Sequence, residues 1–540
     1  MASTTTAAAG YLGEIPLAWE PPKHNPYVIA LVVTLATFME VLDTTIANVA
    51  LPHIAGNLSA GTDESTWVLT SYLVSNAIVL PLNGWFSRIF GRKRFYMLCV
   101  ATFTVSSLLC GLAPNLGMLV FFRILQGLGG GGMQPSEQAI LVDTFPPHKR
   151  AMGMAVYGVA VVVAPIVGPT LGGWITDNYS WRWVFFINIP IGILSLILTA
   201  RIVSDPSYMK AQQARQRNGG IGVDYTGLGL LAVGLAALQI MLDKGQREDW
   251  FESDFILTMF GIMALCLPMA VLWSLRRRDA VVDFHLMKDR NFTLATITLF
   301  MLGFVLYGST VLLPLFLQTL MGYTAMQSGM TMSPGGMVVM VLMPVVGVLL
   351  GRFQARWLVV FGLVVAAISL FDMARFNLQI DFWTAVVSRM ILGAGLAFLF
   401  VPINTAAFYF VPPDKTSNAT GLINLARNIG GSCGIAFATT LLERRMQYHQ
   451  NILVEHVTPY SHTYRELIQG ATGMLLHQGS SAVEAAQQAQ GLVYQLVRQQ
   501  AGVLSFVDNF WVMGVICLCA IPLMFLMKKT RPHKGPLTGH

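Results

Sequence analysis

Long apolar runs separated by short polar connections set the pattern of this chain. A bilayer core takes about 20 apolar residues per helix. Runs of that size fall at 27–52, 66–87, 95–113, 117–142, 151–175, 183–203, 225–243, 254–275, 293–320, 327–350, 356–375, 382–404, 419–442 and 505–527. They predict fourteen membrane-spanning helices, an even number that returns both ends of the chain to one side. The polar stretch 443–504 stands apart as a long loop, and Ala482 to Leu504 reads as an amphipathic helix with Ala485, Ala489, Leu492, Leu496 and Val503 on its apolar face.

Charge agrees with this reading. Only 11% of residues are charged against 54% hydrophobic, whereas soluble domains carry about 25% charged residues. So few charges cannot coat a soluble body of 540 residues, and the excess apolar surface has to meet lipid. With the N-terminus inside, the inner connections and tails hold 23 Lys and Arg and the outer connections 8. That asymmetry follows the positive-inside rule and makes the net charge of +7 a sign of topology rather than of nucleic-acid binding. The first 26 residues hold no apolar core with a cleavage site, which argues against a signal peptide. The six cysteines all lie in apolar runs, off metal-ligand spacing, and read as small hydrophobic filler. The loop histidines His449, His456, His462 and His477 also lack metal spacing and read as solvent-facing. No metal site is expected.

An internal repeat is visible. Arg123 is followed 23 residues later by Pro146-Pro147-His148-Lys149, and Arg389 by Pro412-Pro413-Asp414-Lys415 at the same distance. Each Arg also precedes a glycine by four residues, Gly127 and Gly393. The matched spans are the fourth and twelfth, so two six-helix halves are separated by two inserted helices. Parallel six-helix repeats around a midplane site are a transporter architecture.

Ionisable groups inside spans are functional candidates, because placing one at the bilayer centre costs about 2.5–3.5 kcal/mol. The mid-span acids are Glu40, Asp43 and Glu137. Glu40 and Asp43 are three apart and share a helix face. Asp43 and Arg123 lie at comparable depths from the same surface and could meet, either as a permanent structural pair or as a proton-loading switch. In the second case Asp43, assisted by Glu40 or Glu137, alternates between protonated and charge-paired states as Arg123 moves. Tyr157, Tyr307, Gln318, Asn404, Asn424 and Arg427 are candidate lining residues of a substrate cavity. Gly127-Leu128-Gly129-Gly130-Gly131-Gly132 satisfies GxGxxG, but no strand precedes it, and close helix packing explains it better. The chain lacks GxxxxGK[ST], so direct drive by ATP is not expected and an ion gradient is the natural source of energy.

Several of these segments together resemble the fourteen-helix drug:proton antiporters of the major facilitator superfamily, the EmrB type in particular. Leu42-Asp43-Thr44-Thr45-Ile46-Ala47-Asn48-Val49-Ala50-Leu51-Pro52 is similar to the first-helix motif, and Arg123-Ile124-Leu125-Gln126-Gly127 to the fourth-helix motif. Gly168-Pro169-Thr170-Leu171-Gly172-Gly173 is similar to the fifth-helix exporter motif, and Trp181-Arg182-Trp183 through Asn188-Ile189-Pro190 to the segment that follows. Gly84 to Lys93, with Gly91 and Arg92, is similar to the inner-loop motif; the family's acid in its middle is Arg88 here.

The resemblance implies an all-α membrane protein with the major facilitator fold: two six-helix lobes and two inserted helices. The expected division is a cytoplasmic tail at 1–26, a first lobe at 27–203, a linker with the inserted helices at 204–292, and a second lobe at 293–527. The second lobe includes a periplasmic loop at 443–504, and 528–540 is a cytoplasmic tail. The glycines, Pro169 and Arg92 of the motifs would then serve conformational change. The implied function is proton-coupled export of amphipathic small molecules or drugs across the inner membrane, without a cofactor and without enzymatic chemistry. Implied partners are a periplasmic adaptor and, through it, an outer-membrane channel. A dedicated exporter of one endogenous metabolite or siderophore is the alternative; a receptor or channel fits less well.

Overall fold

A computed structural model of the chain describes residues 21–146, 149–207, 209, 224–277, 280–409, 411–412 and 415–528. Most of the two tails, part of the 204–224 stretch and the middle of both Pro-Pro-x-Lys turns lie outside them. The described residues fold into helices, without a strand.

The first bundle contains α1 (Pro26–Asn57), α2 (Trp67–Val79, a 3-10 turn Leu80–Leu82, then Asn83–Phe90) and α3 (Arg92–Gly111). It is completed by α4 (Leu116–Thr144), α5 (Arg150–Asn178) and α6 (Trp183–Phe186 and Asn188–Ile202). Two helices follow, α7 (Tyr225–Lys244) and α8 (Asp254–Arg276). The second bundle contains α9 (Arg290–Thr319), α10 (Ala325–Leu349), α11 (Ala355–Met373), α12 (Phe382–Ala407), α13 (Thr416–Glu455) and α14 (Ala482–Phe525).

Packing repeats along with the sequence. In the first bundle α1 packs on α5 and α3 on α4; eight helices on, α9 packs on α13 and α11 on α12. The bundles meet where α5 lies along α10 and where the lower part of α2 lies against α13. The start of α1, the end of α2 and the starts of α5, α9 and α13 share one face, here the tail face. The opposite face carries the extension of α13 and α14 and is here the hairpin face.

Among the described residues, twelve helices are each long and apolar enough to cross a membrane. The other two expected spans differ for physical reasons. Pro81 cannot donate a backbone N–H, and α2 breaks at the Leu80–Leu82 turn into pieces too short to cross alone. The thirteenth run sits in a 40-residue helix whose far half is polar.

The 443–504 segment is not an irregular loop. α13 continues to Glu455, α14 begins at Ala482, and a helix at His462–His477 packs on α14. Of the expected apolar stripe Ala485, Ala489 and Val503 are buried, but its middle is displaced by one position. Ala485, Ala489, Val493, Val497 and Ala501 are buried at four-residue spacing, whereas Leu492 and Leu496 are exposed. His449 is not solvent-facing either, since its Nε2 lies 2.8 Å from Asp508 Oδ2 on α14.

The glycine run of α4 is a packing seam, as expected. A methyl group on Gly127 would sit 2.1 Å from Ser75 Oγ and 2.4 Å from the Tyr72 carbonyl, so α4 presses on α2. On the other side a methyl on Gly129 would sit 2.7 Å from Phe103 N of α3. Gly127→Val is expected to destabilise by at least the ~1–3 kcal/mol of an overpacked core. Gly173→Ala, with nothing within 4 Å of the added carbon, should not lower stability. Melting curves of the two purified variants check this.

On the tail face Lys415 Nζ donates to Asp283 Oδ2 at 2.7 Å, tying the segment before α9 to the start of α13. Partial burial works against ionisation of Asp283, but Lys415 and the two bonds from His285 outweigh it and hold the carboxyl below its ordinary 3.8. A carboxylate held low contributes stability that is complete above its unfolded value and lost as pH falls through its folded value. For a pair this exposed the contribution is under ~1 kcal/mol. Lys415→Met should lower the melting temperature slightly at pH 7, and the gap to the parent should close below pH 4.

Candidate functional site: a buried charge network between the bundles

Two acids on α1 reach different surroundings. Asp43 turns into the first bundle, where Arg123 Nη1 of α4 donates to its Oδ2 at 2.6 Å, with both side chains fully buried. Its Oδ1 accepts from Gln126 Nε2 at 3.1 Å and from Asn188 Nδ2 of α6 at 2.7 Å. Arg123 is held further by the Val68 carbonyl at 3.0 Å and Gln126 Oε1 at 2.8 Å. Its guanidinium lies 4.4 Å from the Tyr72 ring centre and 5.6 Å from that of Phe185.

Glu40, one helical turn away, faces the space between the bundles. Its Oε1 accepts from Tyr72 Oη at 2.9 Å and Asn76 Nδ2 at 3.1 Å, and its Oε2 from Gln134 Nε2 at 2.5 Å. The Gln134 amide continues across the gap: its Oε1 accepts from Arg427 Nη2 of α13. Arg427 Nη1 donates to Tyr157 Oη at 2.9 Å. A single neutral amide therefore joins an acid of one bundle to a guanidinium of the other.

These groups enclose a cavity of about 90 Å³ lined by Glu40, Tyr72, Gln134, Tyr307, Asn424 and Arg427, among others. Of the six expected lining residues, Tyr307, Asn424 and Arg427 lie on this wall. Tyr157 is behind it, fully buried, with Oη 3.1 Å from both Gln134 Oε1 and Asn424 Oδ1. Asn404 is also behind the wall, where its Oδ1 accepts from Gln138 at 3.4 Å. Gln318 lines a separate cleft toward the hairpin face. Asn404 is turned back on its own helix, its Nδ2 donating to the Phe400 carbonyl at 2.8 Å. The Tyr157 ring turns toward Phe400, 5.7 Å between ring centres, and Gln318 is near the far end of α9.

Asp43 is likewise off the cavity wall: Tyr72 stands between it and the cavity, its ring on Arg123 and its hydroxyl on Glu40. Glu137 lies between α4 and α1, where Oε1 accepts from Thr34 Oγ1 at 2.6 Å and Oε2 is buried without a hydrogen-bond partner.

Toward the tail face the bundles are closed. A methyl on Gly84 would overlap Asn418 Oδ1 at 1.4 Å, and Asn83 Nδ2 donates to the Ser417 carbonyl at 3.1 Å. Arg92 pairs with Asp143, donates to the Ala139 carbonyl at 3.0 Å and reaches Ser417 Oγ at 3.1 Å. Gly91, at φ +86°, supplies the left-handed turn between α2 and α3 that most residues avoid. Closure here uses amide, serine and Arg92–Asp143 contacts, with Arg88 in the position of the family's acid. In the fifth-helix motif Gly168 and Gly172 let α5 approach Thr45 and Ile46 of α1, whereas Pro169 and Gly173 border the hairpin-face cleft.

Sequence reasoning missed the neutral partners: Tyr72, Asn76, Gln126, Gln134 and Asn188. Two carried a signal in their spacing, since Gln126 follows Arg123 by three residues and Gln134 precedes Glu137 by three. Asn188 stood in a recognised motif without a role. Its neighbour Arg182 caps α3, donating to the Gly111 and Ala113 carbonyls at 3.0 and 2.8 Å.

The Major Facilitator Superfamily model matches residues 33–435. The chain belongs to that superfamily. The fatty acid resistance protein FarB of Neisseria gonorrhoeae is 39% identical over 502 residues, covering 93% of this chain and 96% of that protein. The multidrug export protein EmrB of Escherichia coli K12 is 35% identical over 504 residues, covering 93% and 95%. The structure of the proton:xylose symporter XylE superposes with a TM-score of 0.60 at 15% identity, covering 94% of this chain and 97% of that one, and supports the fold.

In this major facilitator chain, removing one partner of the buried ion pair leaves the other uncompensated, at a cost of about 3–5 kcal/mol. Arg123→Met is expected to destabilise by that order and Asn188→Ala by about 1–2 kcal/mol. The double variant Asp43→Asn/Arg123→Met should recover most of the loss, and thermal unfolding of the purified proteins measures all three.

Proposed function

We propose that this chain is a proton-coupled exporter of drugs or other amphipathic small molecules, working by alternating access in the inner membrane. Membership of the superfamily and the multidrug export and fatty acid resistance proteins among its relatives support the exporter class. The single observation that carries the coupling is Glu40, a 3% exposed carboxyl on the cavity wall that bonds through Gln134 to Arg427 of the other bundle.

An ionised Glu40 attracts the Gln134 amide and, through it, Arg427, which favours the closed cavity. A proton arriving from the outside removes that charge and weakens the bridge, so the bundles can part and reload. Proton and substrate then compete for one cavity, and the membrane potential adds about 2.3 kcal/mol per charge per 100 mV. Asp43 and Arg123 pass the change to the α1–α4–α6 core through Tyr72, and Glu137 offers a second carboxyl with an unoccupied oxygen. Cavity polarity comes from Tyr307, Asn424 and Arg427. Neither a cofactor nor enzymatic chemistry enters this cycle.

In this reading fourteen spans cross the membrane: lobes at 27–203 and 293–527, two inserted helices within 204–292, and both tails cytoplasmic. The α13–α14 extension then lies outside. Its exposed Tyr448, Ile452, Val454 and Tyr494 suit docking of a periplasmic adaptor, which in a tripartite system joins an outer-membrane channel.

The test is Glu40→Gln in proteoliposomes with an imposed pH gradient. Export by the parent should rise with the gradient, while the variant, still monodisperse, should export at the gradient-free rate. Gradient-stimulated export by Glu40→Gln at the parental rate would sink the assignment.

A further inference from the structure

The hairpin-face cleft is four times the size of the central cavity, about 360 Å³ against 90 Å³. Drug-sized ligands need pockets of about 300–1,000 Å³. In this conformation the cleft can hold such a molecule and the centre cannot.

The two spaces lie in series. On α1, Glu40 and Thr44 line the centre and Asn48, one turn further along the same stripe, lines the cleft. On α9, Tyr307 faces the centre, while Pro314 and Gln318, seven and eleven residues on, face the cleft. A residue recurs on the same helix face after four, seven or eleven positions. One face of α1 and one of α9 thus run from the first space to the second.

The cleft wall is built for a ligand that donates. Among the described residues Asp177 on α5 is its one carboxylate and His53 on α1 its one basic side chain, with neither Lys nor Arg on the wall. Asn48 and Gln318 add amide oxygens from opposite bundles. Pro52 has no N–H to give the Asn48 carbonyl. On α10, Ser328 is 1% exposed, lines the cleft and has no hydrogen-bond partner for its hydroxyl. A buried hydroxyl left unsatisfied is unfavourable, and a bound polar group removes that cost. Met332, Pro52 and Pro314 supply the apolar remainder.

We propose that this cleft is a release site for amphipathic cations, occupied after the central cavity and before escape from the hairpin face. The inference rests on the export reading for its direction but not for the existence of the site. Asp177 offers the charge contact, Ser328 and the two amides the hydrogen bonds, and the prolines and methionine the apolar surface. Closure of the tail face in the same conformation prevents return.

Ethidium, a fluorescent lipophilic cation with amino donors, tests this with the purified full chain and with proteoliposomes. Asp177 is exposed on the cleft rim, so Asp177→Asn should fold normally. It is expected to weaken ethidium binding about ten-fold, as loss of one charge-assisted contact does. The same ten-fold difference should persist in a Glu40→Gln background, because the cleft is separate from the centre. Gln318→Ala should weaken binding by a smaller factor. Equal ethidium affinity for parent and Asp177→Asn overturns the proposal, as does laurate binding that Asp177→Asn strengthens while ethidium fails to bind. Asp177-dependent ethidium binding with no gradient-driven export would refute the export reading and leave the site standing. Gradient-driven export with ethidium binding indifferent to Asp177 would do the reverse.

Discussion

A charge inside a hydrocarbon layer has to be met by an opposite charge or by a ring of oriented dipoles, and the first bundle is organised around that demand. Arg123 is bonded to α1 through Asp43 and to α2 through the Val68 carbonyl, and it is sandwiched near the rings of Tyr72 and Phe185. Asp43 in turn draws in Asn188 of α6, which also reaches Ser107 of α3 at 3.0 Å. Helices α1, α2, α3, α4 and α6 are therefore all tied to a single neutralised pair. The glycines of α4 serve the same end, because only without side chains at Gly127 and Gly129 can α4 come close enough for Arg123 to be enclosed.

The second bundle repeats the backbone but not the charge. Arg389 occupies the position equivalent to Arg123 and is 1% exposed, yet it meets the hydroxyls of Ser309 at 3.3 Å and Thr310 at 3.0 Å. No carboxylate pairs with it among the described residues. Among the described residues of the bundles, the buried acids Glu40, Asp43 and Glu137 are thus in one, and the buried guanidinium groups without a carboxylate partner, Arg389 and Arg427, in the other. Across the cavity, Glu40 of the first bundle is joined to Arg427 of the second through the Gln134 amide.

Much of this was legible in the sequence, and the limits have physical causes. The meeting of Asp43 and Arg123 followed from equal depth, because helices of fixed rise convert residue counts into height. The facing of Glu40 did not follow. Residues three apart differ by about 60° around the axis, enough to send Asp43 into the bundle and Glu40 to the cavity. Neutral amides such as Gln134 and Asn188 carry no cost that would single them out among other polar residues in a span. Hydropathy marked the apolar helices, twelve of them long enough to cross a membrane among the described residues, but not where helices end, so α13 and α14 continued as helix well past the apolar density. The Pro81 break in α2 was visible as a residue, yet its effect depends on the Leu80 region packing under Gly421 of α13, at 2.7 Å from the added carbon.

The inserted helix α7 constrains how the bundles can move. Toward the hairpin face α2 and α13 diverge, and α7 bonds to both. Asp243 accepts from Thr70 Oγ1, and Lys244 donates to Thr66 Oγ1 at 2.5 Å, both on the α2 side. On the other side Gln239 donates to Ser432 Oγ at 2.8 Å, and beyond the helix Trp250 donates to Thr440 Oγ1 at 3.0 Å. Separating the bundles along this seam must break one of the two sets. The α2 set involves ionisable groups, with Lys244 only 5% exposed, and charge-assisted bonds are roughly twice as strong as neutral ones. The α13 set holds a charged partner as well, because Gln246, just beyond α7, donates to Glu443 of α13. Ser432 lines the central cavity, so its bond to α7 is on the same wall as Glu40 and Arg427. One helix, α13, thus carries both Arg427, which bonds toward Glu40 through Gln134, and Ser432, which bonds to α7.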